Sequence, residues 1–448
     1  MASGEMGLEK GSATGLGDLM PEIIDNIVDE VVGEVTYDRD TGVIDLSQET
    51  MQDLNTMALL GKDWIVRTRW VQARCLLGAE SDPSMWEGLR EVLNGTVTST
   101  FANVVECFYL NMPDDVNCPQ DDPLPLWRKE TPPQFSNYER RHSHPYLRFL
   151  DSTLDSGKTV GAVIYSKTRH VSLVPVRYPA FLRVRELVVL TQTFANITYL
   201  KLTEWSVKEY REAVNFLRAF KFLEKVDLGQ LYVVDDLEED AWQRLEGKTK
   251  PRLKHLQEAW MWDVESPYGM LALLEAGSPF PSLRNLFWRF GSLFFDQLEQ
   301  KNAEGEWLRP GAWTRLFSMF EELEMAHLEM IEGYSDTWDL IFLDKACKKL
   351  IKLSAFFPGD IDASDFLVHN LPKDHLLYLN VSRLHSASKV REIDMILSGF
   401  PKLLKVNNVI FSAEEVEETT KEMTRQMPRC HTQKMLNVRV AKVTEEDD

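Results

Sequence analysis

The sequence predicts an α/β chain: a helical N-terminal module followed by a solenoid of stacked strand–turn–helix units whose strands form one curved parallel sheet. Three observations carry that expectation. A short apolar phrase returns at near-regular intervals through residues 181–412, segments of helical apolar spacing lie between its copies, and residues 18–80 show helical spacing without the phrase.

The phrase is clearest in "FPSLRNLFWRF" from Phe280, "FPKLLKVNNVIF" from Phe400 and "KPRLKHLQEAW" from Lys250. Apolar triples of the form L-x-x-L-x-L anchor at Ile197, Leu223, Leu253, Leu283, Phe320, Leu350, Leu376 and Leu403, successive anchors lying 26, 30, 30, 37, 30, 26 and 27 residues apart. In an extended strand residues two apart share a face, so the second and third apolar positions enter the core together while the first plugs the incoming turn. One such unit cannot bury its own apolar face, but a stack of them can. "SVKEYREAVNFLRAF", "SPYGMLALLEAGSPF" and "VREIDMILSGF" supply the helices, each with apolar residues three and four apart and a Gly or Pro near one end. The pattern resembles leucine-rich repeats, several units running longer than the usual period of roughly 20–29 residues. An ordinary α/β domain whose strands look alike is the alternative.

Side chains alternating with the buried leucines are expected on the open, concave face. They are Lys201, Lys225, Asp227, Arg284, Asn285, Phe287, Glu324, Tyr378 and Asn380, with Trp205, Trp260, Trp262 and Trp288 as aromatic anchors. Eight strands at about 4.8 Å spacing give a face roughly 35–40 Å long, enough for a standard protein interface.

Composition limits the function classes. Fifty basic against seventy acidic residues give a net charge of −20, which argues against nucleic acid and anionic membrane as partners. No window approaches the ~18–20 apolar residues of a membrane span, and the N-terminus lacks a secretory pattern. Five scattered cysteines without a C-x-x-C pair fit reduced thiols in cytoplasm or nucleus. Residues 1–17 are Gly/Ser-rich and read as disordered, 81–180 as a connecting region that could hold the first irregular repeats, and 413–448 as a C-terminal cap with an acidic tail.

The N-terminal block holds the most specific motif. "LMPEIIDNIVDEV" places Pro21 in a first helical turn, where its missing N–H would have had no partner, and Glu22 at the positive helix end. Ile23, Ile24, Ile27, Val28 and Val31 follow at helical spacing; after an insert of about fifteen residues come Leu54, Leu59, Leu60 and Trp64. Residues 18–80 thereby resemble the F-box, the helical module that binds the SKP-type adaptor of cullin–RING ubiquitin ligases, and most of the chain resembles fungal F-box proteins with irregular leucine-rich repeats. The resemblance implies adaptor contacts from Leu19, Pro21, Glu22, Ile23, Ile24, Ile27, Val28, Val31, Leu54, Leu59 and Trp64. An N-terminal cap that shields the first repeat is the other reading of this block.

No catalytic motif holds. "DSGKT" at 155–159 has Ser152 where a P-loop needs glycine, and "VGAVIYS" after it reads as a strand rather than the required helix. In a strand His142 and His144 would share a face, but no third metal ligand is spaced to join them and the segment reads as solvated, as do the carboxylate runs "DDLEEDAW" and "SAEEVEETTKE". The expectation is a non-catalytic subunit without cofactor or metal. Its F-box holds the adaptor, and through it a cullin, while the repeats bind a protein substrate. The alternative is a leucine-rich scaffold without a ubiquitin link.

Overall fold

The computed structural model describes residues 21–32, 48–60, 64, 68, 75–77, 90, 94, 107–112, 145–175, 180–233, 252–263, 268–291, 318–320, 322–330, 343, 347–357, 362 and 364–440. The chain divides into two units, Met1–Leu110 with Phe149–Ser172, and Asn111–Arg148 with Leu173–Asp448.

In the first unit, helices α1 (Pro21–Val32) and α2 (Gln48–Ala58) pack together. Ile24 and Val28, one turn apart on α1, close on Leu54 of α2 and on Trp64, with Ile27 and Met57 against the edge of this cluster. Strands β1 (Cys75–Leu77) and β2 (Cys107–Met112) pair in parallel. A short helix, α3 (Pro145–Asp151), begins before the Phe149 boundary. The segment "VGAVI", expected as a strand, is instead the short helix α4 (Val160–Ile164). Thr159 explains the difference: its hydroxyl accepts the Ala162 N–H at 3.3 Å as an N-cap, and Val160 and Ile164 bury one helical face. Strand β3 (His170–Pro175) follows.

The second unit is built on ten parallel strands. β4 (Ala180–Phe181) lies on β5 (Tyr199–Val207). From β5 the strands follow chain order: β6 (Lys225–Val233), β7 (Glu258–Asp263), β8 (Asn285–Phe290), β9 (Met325–Met330), β10 (Lys352–Phe356), β11 (Tyr378–Ser382), β12 (Lys405–Ile410) and β13 (Leu436–Val440). Each pairs in parallel with the next, and the sheet does not close into a barrel. The array continues past residue 412, where the repeats were expected to end, because β13 adds one more strand to β12. This is the open-ended sheet of a solenoid-like α/β fold.

Between strands run helices α5 (Val184–Thr193), α6 (Tyr210–Ala219), α7 (Tyr268–Gly277), α8 (Ser364–His369), α9 (Val390–Leu397), α10 (Val416–Gln426) and α11 (Pro428–Thr432). The three segments read as helices from their apolar spacing are α6, α7 and α9. Helix α7, "YGMLALLEAG", packs on β6, β7 and α6 and is buried from Gly269 to Gly277. Its start is held by Asp263 at the end of β7, whose Oδ2 accepts the Met270 N–H at 3.0 Å and the Trp288 Nε1–H at 3.3 Å.

The recurring phrase has four points rather than three. Phe194, Ile197, Leu200 and Leu202 form the first copy, Phe220, Leu223, Val226 and Leu228 the second, and all are buried. Leu253, Leu256, Ala259 and Met261, then Phe280, Leu283, Leu286 and Trp288, repeat them, as do Phe320, Leu323, Ala326 and Leu328. The first step is a tight turn, in which Ile197, Leu223, Leu256, Leu323 and Leu350 each donate their N–H to the carbonyl three residues back. The next residues pair with the neighbouring unit. The carbonyls of Thr198, Glu224, Gln257, Arg284, Glu324, Ile351 and Leu377 each accept two consecutive N–H groups from the following repeat. The entries of β6 to β12 are thereby each locked to the one before, with these backbone groups satisfied.

Candidate functional site

One face of the ten-strand sheet is buried, with α6 on β5, α7 on β6 and β7, and α10 on β13; the other carries the half-exposed side chains of each alternating strand, such as Glu258, Trp260 and Trp262 on β7. Register aligns these side chains in rows across the strands. The entry row runs Tyr199, Lys225, Glu258, Asn285, Met325, Lys352, Tyr378, Lys405. The middle row runs Lys201, Asp227, Trp260, Phe287, His327, Ser354, Asn380, Asn407, Asn437.

Aromatic rings stack along the middle row. Trp260 and Phe287 have centroids 4.8 Å apart and planes 16° apart; Phe287 and His327 are 4.3 Å apart at 17°. Phe356, one place further along β10, continues the pile on His327 at 4.8 Å and 26°. The separations match the strand spacing of about 4.8 Å, so the rings stand on the sheet and use their faces on one another. Their edges are left toward solvent. Trp262 leans on Phe287 at 5.1 Å and takes the Arg289 guanidinium over its ring at 5.6 Å.

Charges flank the pile in pairs. Lys225 meets Glu258 at 2.8 Å and lies over the rings of Tyr199 at 5.0 Å and Trp260 at 5.3 Å, while the Trp260 indole N–H donates to Glu258. Lys201 lies 3.6 Å from Asp227, which also accepts the Trp262 indole N–H at 3.3 Å. Burial still pushes the Asp227 carboxyl above its ordinary value despite Lys201 and Trp262. Burial pushes Glu329 the same way, but His327 at 3.7 Å and Arg289 at 3.5 Å outweigh it and hold the carboxyl below its ordinary range.

The middle row changes chemistry at β10. Asn380 Nδ2 donates to Ser354 Oγ at 2.7 Å, Asn407 Nδ2 to Asn380 Oδ1 at 2.6 Å, and Asn437 Nδ2 to Asn407 Oδ1 at 3.1 Å. The result is an amide ladder over four strands.

Of the side chains expected on this face, Lys201, Lys225, Asp227, Asn285, Phe287, Tyr378, Asn380, Trp260 and Trp262 sit on it. Arg284 and Glu324 do not alternate with the core. They occupy the entry turns before β8 and β9 and face each other at 3.6 Å. Trp288 is fully buried on the helix face beside Asp263. Trp205 is also buried, for a different reason. Leu200 and Leu202 point into the core, and simple alternation would place residue 205 outside, but the pattern slips at Thr203 and Glu204 so that Trp205 and Val207 turn inward. The partner strand slips at the same level: Leu228 and Leu231 are both buried, and the Thr203 carbonyl comes so close to Gly229 that a Cβ there would lie 1.3 Å from its oxygen. Sequence reasoning missed His327, Arg289, Glu329, Phe356, Asn407 and Asn437. The asparagines had a signal, since "YLN", "KVN" and "LN" put the same residue in the same slot of three successive strands.

In the first unit Ile24, Val28, Leu54 and Trp64 are buried together and close the helix pair. Ile23 (39 % exposed), Leu59 (86 %) and Leu60 (40 %) are uncovered, and Ile27 and Val31 are half-buried. Pro21 opens α1; its side chain and that of Glu22, together with Leu19, His142, His144 and the "DDLEEDAW" run, lie outside the described residues.

Among the described residues no group of His, Cys, Asp and Glu could hold a metal ion, and no helix is long and apolar enough to cross a membrane. The chain matches no protein-family model and no curated protein.

Proposed function

We propose that the chain is the substrate-recognition subunit of an SCF-type ubiquitin ligase: the N-terminal helices dock on the SKP-type adaptor and the open face of the sheet holds a protein substrate. The observation that carries this reading is the pairing of two unlike surfaces, each in its own unit. On α1, Ile23, Ile27 and Val31 repeat every four residues and therefore share one stripe, adjacent to the Ile24–Val28 stripe that closes on α2. Ile23, Leu59 and Leu60 are uncovered and Ile27 and Val31 half-buried, which leaves aliphatic surface on a helical pair that already has its own core. In the other unit the half-exposed indoles and the ring edges supply the aromatic anchors that protein interfaces favour. Catalysis in this reading is proximity alone, a substrate held at raised local concentration beside the charged conjugating enzyme.

The test is capture by the SKP-type adaptor. Wild type is retained, and Ile23→Asp with Leu59→Asp, which leave the Ile24–Val28–Leu54–Trp64 cluster intact, abolishes retention without loss of helical signal. If the wild-type chain is never retained, or the double variant is retained equally, the scaffold without a ubiquitin link takes its place.

A further inference from the structure

The open face is divided by charge as well as by ring chemistry. From β5 to β9 the cations of the face have carboxylates beside them: Lys201 with Asp227, Lys225 with Glu258, Arg289 with Glu329. Strands β10 to β13, "KLSAF", "YLNVS", "KVNNVI" and "LNVRV", contain Lys352, Lys405 and Arg439 and no Asp or Glu. All three cations are exposed, and among the described residues none of them forms an ion pair. In a chain of net charge −20 this is a local reversal of sign.

Register places Lys352, Tyr378 and Lys405 side by side on three successive strands, so the two lysine backbones are about 10 Å apart with the exposed tyrosine between them. Arg439 pairs in register with Val409, at the other end of the last two strands. Between them runs the amide ladder. Each asparagine has two N–H donors and the ladder uses one of each, leaving the second on half-exposed Asn380 and Asn437, while that of Asn407 is buried. Cations on both sides of a row of amide donors, without a carboxylate among them, match a strip of acceptors carrying negative charge.

We propose that strands β10–β13 hold an acidic, extended segment of the protein substrate, its Asp and Glu carboxylates against Lys352, Lys405 and Arg439 and its backbone carbonyls against the asparagine ladder. The proposal rests on the reading of the open face as the substrate-binding face, and it does not depend on adaptor docking. Four strands span about 15 Å, the length of four or five extended residues. The rest of the segment would lie on the ring pile of β7–β9.

Fluorescence anisotropy of a labelled octaglutamate peptide with the full chain tests this, alongside a matched glutamine peptide, a phosphoserine peptide and a single-stranded oligonucleotide. Octaglutamate is expected to bind saturably and more weakly as salt rises, the glutamine peptide not at all. The triple variant Lys352→Gln, Lys405→Gln, Arg439→Gln should weaken binding about 10- to 100-fold, three exposed charge contacts being lost. Lys421→Gln, whose lysine lies on helix α10 outside the open face and is already committed to Glu417, should leave it unchanged. All four positions are on the surface, and an unchanged circular dichroism spectrum confirms the fold. Equal binding by the triple variant, or no octaglutamate binding, overturns the proposal. Binding of the phosphoserine peptide alone overturns the carboxylate assignment, and preferred binding of the oligonucleotide overturns the protein one. Failed adaptor capture with intact peptide binding would remove the ligase reading and keep this one.

Discussion

Neutralising Asp263 should flatten part of the pH dependence of stability. This carboxyl is fully buried between the end of β7 and the start of α7, and burial pushes it from 3.8 up to about 7, against the Met270 N–H and the Trp288 indole, which favour the ionised form. A carboxyl whose folded value lies above its unfolded one binds more protons in the native state between the two values. Stability is therefore greatest at low pH and is lost as pH rises through the window from 3.8 to about 7. Between about pH 5 and pH 8 the shift from 3.8 to about 7 corresponds to ~3 kcal/mol. The assay is urea unfolding followed by circular dichroism at both pH values, for wild type and Asp263→Asn. The wild-type free energy should fall by about 3 kcal/mol more than that of the variant over this interval. Parallel pH profiles would refute the assignment of a buried carboxyl that becomes charged in the folded chain near neutral pH.

Two further substitutions test the packing. Gly229→Ala would force a methyl to within 1.3 Å of the Thr203 carbonyl oxygen, and should cost at least ~3 kcal/mol or prevent folding, whereas Gly399→Ala, whose nearest neighbour is the Ile396 oxygen at 3.3 Å, should cost under about 1 kcal/mol. Trp205→Ala should destabilise by about 3–5 kcal/mol as a core deletion, while Trp260→Ala should cost about 1 kcal/mol of stacking and act mainly on partner binding; equal losses from the two would contradict the slip in strand phase at Thr203.

Much of the solenoid was legible because the second and third core positions are two apart and the helices between them keep their own period. Six of the eight anchors, at Ile197, Leu223, Leu283, Leu350, Leu376 and Leu403, fall at the turn position where the structure puts them. The anchors at Leu253 and Phe320 are one turn early. In those units the first core slot of the strand is Ala259 or Ala326, and an alanine does not announce itself in a leucine pattern, so the triple was aligned on the preceding turn. That three-residue slip is why Glu324 was placed on the face and His327 and Glu329 were overlooked. Trp205 was misplaced because a phase change shared by two strands has no local signature beyond Gly229 itself. The ring pile was not readable at all, since Trp260, Phe287, His327 and Phe356 lie far apart in the chain and meet only through register. In the first unit the helical stripe was visible, but with Ile23 and Ile24 adjacent the sequence could not divide the aliphatic residues into those that close the helix pair and those left uncovered.

The central claim is a division of labour between two surfaces of one chain, and hydrogen–deuterium exchange of the full protein mixed with the SKP-type adaptor tests it most directly. The account predicts slowed exchange confined to Pro21–Val32 and Gln48–Ala58, with the ten strands of the sheet unchanged. Protection appearing on the sheet, or none in the two N-terminal helices, would contradict it.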